Sequence, residues 1–281
     1  MDINWYPGHM TAARRRMQED IKLCDIVIEL LDARLPASST NPDIATLVGQ
    51  KKRLIILNKA DMADPAVTDK WIRYYEKQGI KAITMDARVR KQSLAVTNAV
   101  REVCKEKIER DRRRGIAARA IKAMVCGIPN VGKSTFINSF VGKATAKTGN
   151  KPGVTKGNQW IRISKDINLL DTPGILWPKF EDRNVGLRLA SVGTINDDIL
   201  EMRDIAMFIT GFMKDNYCNM LHERYMIKDG SEGENILIDI AEDKKCIRKG
   251  GEPDVDKAAK LLVDDLRSGK LGRISLEKPE D

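Results

Sequence analysis

Hydrophobic and polar positions fall into two textures along the chain. Up to about residue 178, short apolar runs of strand length are separated by stretches with helical spacing. The runs "CDIVIELLDA", "RLIILN", "KAITMDA" and "IKAMVCG", followed by "NQWIRIS" and "INLLDTPG", predict six strands, the last two joined by a turn at Ser164–Asp166. The first two runs are almost wholly apolar, which suits central strands buried on both faces. Ahead of them, residues 8–23 set Met10, Ala13, Met17 and Ile21 on one stripe and predict a helix. "PDIATLVG" predicts a short helix ended by Gly49. In "DPAVTDKWIRYYEKQG", Asp64 can cap a helix, Pro65 takes its first position and Gly79 ends it. Residues 92–115 predict one long basic helix finishing in "RDRRRGI". Strands alternating with helices predict an α/β fold, a doubly wound and mostly parallel sheet with helices on both faces.

After Trp177–Pro178 strand-like runs become scarce. Helical spacing returns over roughly 184–191, 197–214, 217–224, 233–242 and 255–268, broken by the polar, Gly-rich "DGSEGEN" and "RKGGEPD". The expected organisation is a first domain over 1–178 and a small all-α domain over 179–281. The end, "SLEKPED", is expected to fray.

Charge changes this picture in one respect. The formal net charge is +9, but residues 1–178 carry 32 Lys and Arg against 18 Asp and Glu, while residues 179–281 carry 17 against 22. The basic surplus of the first domain points to a polyanion or to ordinary solvated charge. The five cysteines are scattered and form no CxxC pair, which argues for a reducing compartment and against a zinc site or disulfide framework. No apolar run is long enough to span a bilayer, and "MDINWYPGHM" has neither a signal pattern nor a transit segment, so the expected location is cytoplasmic.

Three short motifs carry chemistry, each at the end of a predicted strand. "GIPNVGKS" (Gly127–Ser134) fits G-x-x-x-x-G-K-[ST] between a strand and a helix. Its two glycines, Gly127 and Gly132, with Asn130 and Val131 between them, let backbone amides wrap phosphate oxygens at a helix N-terminus. Lys133 would neutralise the β- and γ-phosphates, Ser134 would offer a hydroxyl to Mg²⁺, and Thr135 completes the set. "DTPG" follows "INLL", so Asp171 can hold Mg²⁺ through water and Gly174 can give its N–H to a γ-phosphate. "NKAD" supplies Asp61, whose carboxylate can accept guanine N1–H and N2–H₂ together; adenine lacks that donor pair. The stem of Lys59 can cover the base, and Asn58 can tie this loop to the phosphate loop. Together the three predict GTP and GDP as ligands, with the base reader placed before the phosphate loop in sequence.

With "WYPGHM", "DARLPASSTNP", "NKAD", "GIPNVGKS", "KPGVTKG" and "DTPGILWPKF", the chain resembles the circularly permuted ribosome-assembly GTPases of the large subunit, the YlqF/RbgA type. The resemblance covers about the first 180 residues well, and the remainder in size and character. It implies that Thr155 is a mobile switch threonine on Mg²⁺ and the γ-phosphate, although a simple turn threonine would also fit. It implies that Asn130 helps to hold K⁺, where a turn-forming Asn is the plainer reading. The second base contact is expected near "MDAR" at Ala87, with Asp86 departing from the usual serine.

Gly174 is followed by Ile175, Leu176 and Trp177, none of which can orient water. The resemblance implies a catalytic role for His9; packing or RNA contact are the other readings. Hydrolysis is therefore expected to be slow alone and stimulated by ribosomal particles. The implied partner is the large ribosomal subunit precursor with its rRNA, bound by shape and phosphate, with no membrane, no DNA and no need for more than a monomer. The alternative is an accessory GTPase module of an RNA-modifying or other regulatory protein. That would need a second catalytic constellation, which residues 179–281 do not display.

Overall fold

The computed structural model describes residue 15 and residues 17–89, 92–116, 119–141, 159–171, 182–195 and 200–280. The chain divides into two compact units, Met1–Lys179 with Glu277–Asp281, and Phe180–Leu276.

In the first unit a helix over 17–23 (α1) leads into β1 (Ile26–Asp32). There follow α2 (Pro36–Ser39), α3 (Pro42–Val48), β2 (Lys52–Asn58), α4 (Pro65–Lys77) and β3 (Lys81–Met85). Next come α5 (Ser93–Val103), α6 (Lys105–Arg113), β4 (Ile121–Cys126), α7 (Lys133–Val141), β5 (Gln159–Arg162) and β6 (Ile167–Asp171). The strands form one sheet in the order β3-β2-β1-β4-β6-β5. All pairings are parallel except that of β5 with β6, which closes the edge as a hairpin. Strand order reverses at β1/β4, the switch point where an open α/β sheet leaves a crevice for a ligand.

Burial follows the apolar runs. Every residue of β1 is buried, as a strand covered on both faces requires. On one face Met17 and Ile21 of α1 and Ile44 and Val48 of α3 pack on Val27, Met124 and Leu170. Val67, Trp71 and Tyr75 of α4 pack on Leu31, Ile55, Leu57 and Ala82. α4 begins as its sequence predicts: Asp64 accepts from the Ala66 and Val67 amides at 2.8 and 3.3 Å, and Pro65 is the first residue. Burial pushes the Cys24 thiol up to about 12 and the Cys104 thiol to about 11, so these cysteines serve as apolar packing.

Two expectations are corrected. The long helix over 92–115 is two helices. The hydrogen-bond ladder persists through Cys104, but Cys104 itself leaves helical geometry, at φ −93° and ψ 9°. The reason is burial: α5 buries Val96, Ala99 and Val100, Cys104 is 2% exposed, and α6 buries nothing. The bend keeps Cys104 in the core while the charged α6 turns to solvent. Nor does the segment around Glu277 fray. Glu277 is buried in the first unit, where it accepts from Ser38 N at 2.9 Å and Ser38 Oγ at 2.6 Å. Trp71 Nε1 donates to the Glu277 carbonyl at 3.3 Å. A polar composition suggests fraying only when no buried donors wait for it.

The second unit contains α8 (Arg183–Ser191), α9 (Met202–Asn216), α10 (Cys218–Arg224), α11 (Glu234–Asp243) and α12 (Val255–Ser268). Among its described residues the only β feature is an isolated bridge, Ile247 to Pro253. Ile205, Ile209 and Met213 of α9, Ile236 and Ile240 of α11, and Leu262 and Leu266 of α12 are buried in it. Asp254 caps α12 through the Lys257 amide, and Gly269 ends it with φ 77°.

Candidate functional site

The register of the sheet gathers the motifs. Asp32 at the end of β1 pairs with Asn58 at the end of β2, and Asn58 with Met85 at the end of β3. β4 runs into the phosphate loop along the same edge. That loop needs both its glycines. A Cβ on Gly127 would lie 2.7 Å from the Leu30 carbonyl oxygen, so only glycine can leave β4 so close to β1. Gly132 has φ +99°, and a Cβ there would strike Asn58 Nδ2. The amide end of α7 then presents Lys133, which is buried, with Ser134 and Thr135 half-buried beside it. A helix N-terminus with a buried lysine favours a bound anion.

The base-reading loop is tied to this phosphate loop by direct bonds. Asn58 Nδ2 donates to the Val131 carbonyl at 2.7 Å, and Lys59 Nζ to the Asn130 carbonyl at 2.9 Å. Lys59 and Asn130 both have left-handed backbone, with φ of 58° and 59°. Asparagine tolerates that region, whereas lysine seldom enters it, and the bond between the two loops helps to hold both. Asn58 Oδ1 also accepts from the Ala87 amide at 3.0 Å. Ala87, the expected second base contact, thus also helps to fix Asn58. The next residue reaches into the site as well. Arg88 donates through Nε and Nη2 to Asp86 at 2.9 and 3.0 Å, and Nη2 also bonds Asp61 Oδ2. Asp86, bonded first of all by that guanidinium, is held below the usual carboxylate range.

A second layer lies beneath. Asp32 accepts from Arg34 Nε at 2.9 Å and Nη2 at 2.8 Å, and pairs with Lys59 Nζ at 2.9 Å. Burial alone would raise this carboxyl, but Arg34 and Lys59 outweigh burial and hold it well below the usual range. Burial also lowers the Lys59 ammonium against the opposing pull of Asp32. The roles of Asp32, Arg34 and Arg88 escaped the motif reading. A signal was present for the first two: an Asp and an Arg two residues apart at the end of a largely apolar strand must be paired if they are buried.

Of the expected site residues, the structure brings together Asn58, Lys59, Asp61, Ala87, Asn130, Val131, Gly132, Lys133, Ser134 and Thr135 at one edge of the sheet. The backbone of Asp171 ends β6 opposite Val125 of β4, the strand that feeds the phosphate loop. His9, Thr155 and Gly174 lie outside the described residues.

A phosphate loop bonded through Asn58 and Lys59 to a loop bearing the Asp61 carboxylate, on a doubly wound sheet, defines a P-loop GTPase with its base reader first in sequence. A family model described as 50S ribosome-binding GTPase matches residues 122–238. Ribosome biogenesis GTPase A of Bacillus cereus is 48% identical over 282 residues, spanning 100% of this chain and 95% of that protein. The protein of the same name from Thermotoga maritima is 32% identical over 279 residues, spanning 99% and 95%. A GDP-bound structure of TM YlqF superposes with a TM-score of 0.67 at 28% identity, over 95% of this chain and 100% of that one. A GNP-bound structure of YlqF from T. maritima gives 0.65 at 28% identity, over 96% and 99%. The chain belongs to the ribosome biogenesis GTPase A family.

Proposed function

We propose that this GTPase is an assembly factor that binds the large ribosomal subunit precursor and leaves after hydrolysis. The observation that carries this reading is the bonded union of base reader and phosphate loop, in a chain alike over its whole length to proteins named ribosome biogenesis GTPase A. The uneven charge supports an RNA partner: the basic surplus falls within residues 1–178, the part we assign as the GTPase domain, with 179–281 as a helical domain. The protein acts as a monomer in the cytoplasm, without a membrane or DNA; among the described residues no helix is long and apolar enough to cross a bilayer.

In this reading Asp61 reads the base, and Val131, Gly132, Lys133 and Thr135 hold the phosphates with Asn130. Gly174 gives its amide to the γ-phosphate. Mg²⁺ would be held by Ser134, Thr155 and Asp171 and would supply charge neutralisation at the phosphates. K⁺ would be held by Asn130 and would supply further positive charge there. His9 orients the attacking water when the subunit organises the site, an effect of the kind that raises such rates by roughly 10³–10⁵. The test is GTP turnover with and without purified large subunits, in K⁺ and then Na⁺. Subunits should stimulate turnover, K⁺ should exceed Na⁺, and His9→Ala should lose the stimulation while keeping GTP affinity. Absence of both stimulation and GTP-dependent subunit binding would discard the reading.

A further inference from the structure

The sheet has a second concavity at its other end. It lies where α5 ends, along α6, beneath the segment that enters β4, and beside the β5–β6 turn, with a volume of about 550 Å³. Ile121, at its floor, is the first residue of β4, whereas the phosphate loop follows the last. A strand of this length separates the two by roughly 20 Å. A ligand could occupy this groove while nucleotide occupies the other edge.

Its lining combines three isoleucines with charge. Ile121 is buried, but Ile108 and Ile116 are 41% and 47% exposed, although large apolar side chains. Both carboxylates in the wall are already matched: Asp166 by Arg101, and Asp111 by Lys107 at 2.7 Å. Arg112 and Arg119 are exposed, line the same wall, and make no ion pair among the described residues. The groove is therefore an apolar floor with two guanidinium groups left over. That pairing suits a planar, weakly polar ring joined to an anion. Guanidinium forks grip phosphate bidentately and stack on base faces.

The positive surface also continues beyond one anion. On the other flank of α6 a shallower hollow of about 380 Å³ is walled by Arg110, Arg113 and Arg114 with Glu106 and Glu109. A lone nucleotide would not need this continuation; a strand of successive phosphates would use it. A base inside a duplex could not reach the isoleucine floor, so the occupant must be unpaired.

We propose that this groove is an RNA site that takes an unpaired nucleotide of a folded RNA, its base on Ile108, Ile116 and Ile121 and its phosphates on Arg112 and Arg119. The proposal deepens the assembly-factor reading and rests on it for the choice of RNA. It names a surface distinct from the GTP site, walled on one side by α6.

Fluorescence anisotropy with the full chain tests it, using a labelled RNA stem-loop with an unpaired loop, the same stem as a blunt duplex, anionic phospholipid vesicles and poly-glutamate. The wild type should prefer the stem-loop to all three others. Arg112→Ala with Arg119→Ala should weaken stem-loop binding about tenfold or more between about 50 and 200 mM KCl, and flatten the slope of log affinity on log salt by about 1.5. Ile108→Ser with Ile116→Ser should keep the slope and lose the preference for the stem-loop over the duplex. GDP affinity and unstimulated GTP turnover, which these exposed residues do not serve, should be unchanged in every variant and so report a sound fold. An unaltered slope in the arginine variant, an unaltered preference in the isoleucine variant, or equal binding of vesicles or poly-glutamate overturns the proposal. Subunit-stimulated turnover of the wild type is measured on the same preparation. If it is present while the groove variants bind RNA as the wild type does, the groove alone is wrong; if both it and GTP-dependent subunit binding are absent, the assembly-factor reading is wrong.

Discussion

Each unit of this protein buries a carboxylate against an arginine, and the two are used differently. In the sheet unit, Asp32 is 1% exposed and is held by Arg34 and Lys59. In the helical unit, Asp265 is fully buried and is held by Arg224 at 2.6 Å, by the Tyr225 hydroxyl at 2.9 Å and by Lys270 at 3.5 Å. The difference lies in where the partners lead. Lys59 passes beyond Asp32 to the Asn130 carbonyl of the phosphate loop. The partners of Asp265 belong to α10 and to the chain just beyond either helix end, so that network closes within the bundle. One buried ion pair therefore serves ligand geometry and the other serves folding, though burial and partner chemistry look alike.

The largest expected effect comes from breaking the first pair. Asp32→Ala leaves the buried Arg34 and the half-buried Lys59 without their counter-charge, a change that costs about 3–5 kcal/mol. Because Lys59 would lose one of its two anchors, GDP affinity should fall together with stability, measured by calorimetric titration and urea unfolding. The milder Asp32→Asn adds a pH test. The folded carboxyl is held low, so its stabilisation is complete above the unfolded value near about 3.9 and is lost as pH falls through the folded one. The stability gap between wild type and Asp32→Asn should be widest above about pH 5 and narrow steadily below about pH 4. A gap that does not change with pH would show that Asp32 is not the ionised partner.

Asp265→Ala should cost a similar roughly 3–5 kcal/mol in stability, for the same reason. It should leave the GDP affinity of the folded protein unchanged. A fall in affinity for folded Asp265→Ala would dissolve the distinction between the two pairs.

These networks also show what could be read from sequence. "NKAD" and "GIPNVGKS" were legible because each is a contiguous loop whose function depends on its own backbone and on a strand before it. The Asp32 network was not, because it depends on the register that sets Asp32 beside Asn58, a fact of strand pairing and not of spacing. The bond from the Ala87 amide to Asn58 Oδ1 was hidden for the same reason, since it too depends on what lies across from it in the sheet. The bend at Cys104 was invisible because helical spacing and charge continue through it. The helices of the second unit were legible from their apolar stripes and breaks, while the docking of Glu277 on Ser38 joins residues far apart in the chain.

That last contact gives an intermediate effect. Glu277→Ala leaves the Ser38 amide and hydroxyl without their acceptor in a buried place, a loss of about 1–3 kcal/mol. Ser38 and Ser39 sit on α2, and Ser39 Oγ accepts from the Asp32 amide at 3.1 Å. Loosening α2 should therefore reach the nucleotide site weakly, whereas the Asp265 variant should not reach it at all. Urea unfolding reads the first effect and GDP titration the second; an unchanged midpoint would mean that Glu277 is dispensable.

The smallest effect is the most informative about guanine reading. Arg88 bridges Asp86 and Asp61 from an exposed position, so its ion pairs are worth no more than about 1 kcal/mol. A carboxylate has about four lone-pair sites. Arg88 on Oδ2 therefore leaves enough for guanine N1–H and N2–H₂, and in the proposed reading its bond would set the orientation in which Asp61 meets them. Arg88→Ala should lower GDP affinity by roughly fivefold at most, the equivalent of that energy. It should also narrow the preference for GDP over IDP, since inosine lacks the N2 amine that the oriented carboxylate reads. Arg88→Lys should restore charge without the two-point bridge, and so recover affinity more than selectivity. If Arg88→Ala binds GDP more tightly than the wild type, Arg88 competes with the base for Asp61 and does not position it. In that case this exposed ion pair, unlike the buried one at Asp32, would oppose the ligand.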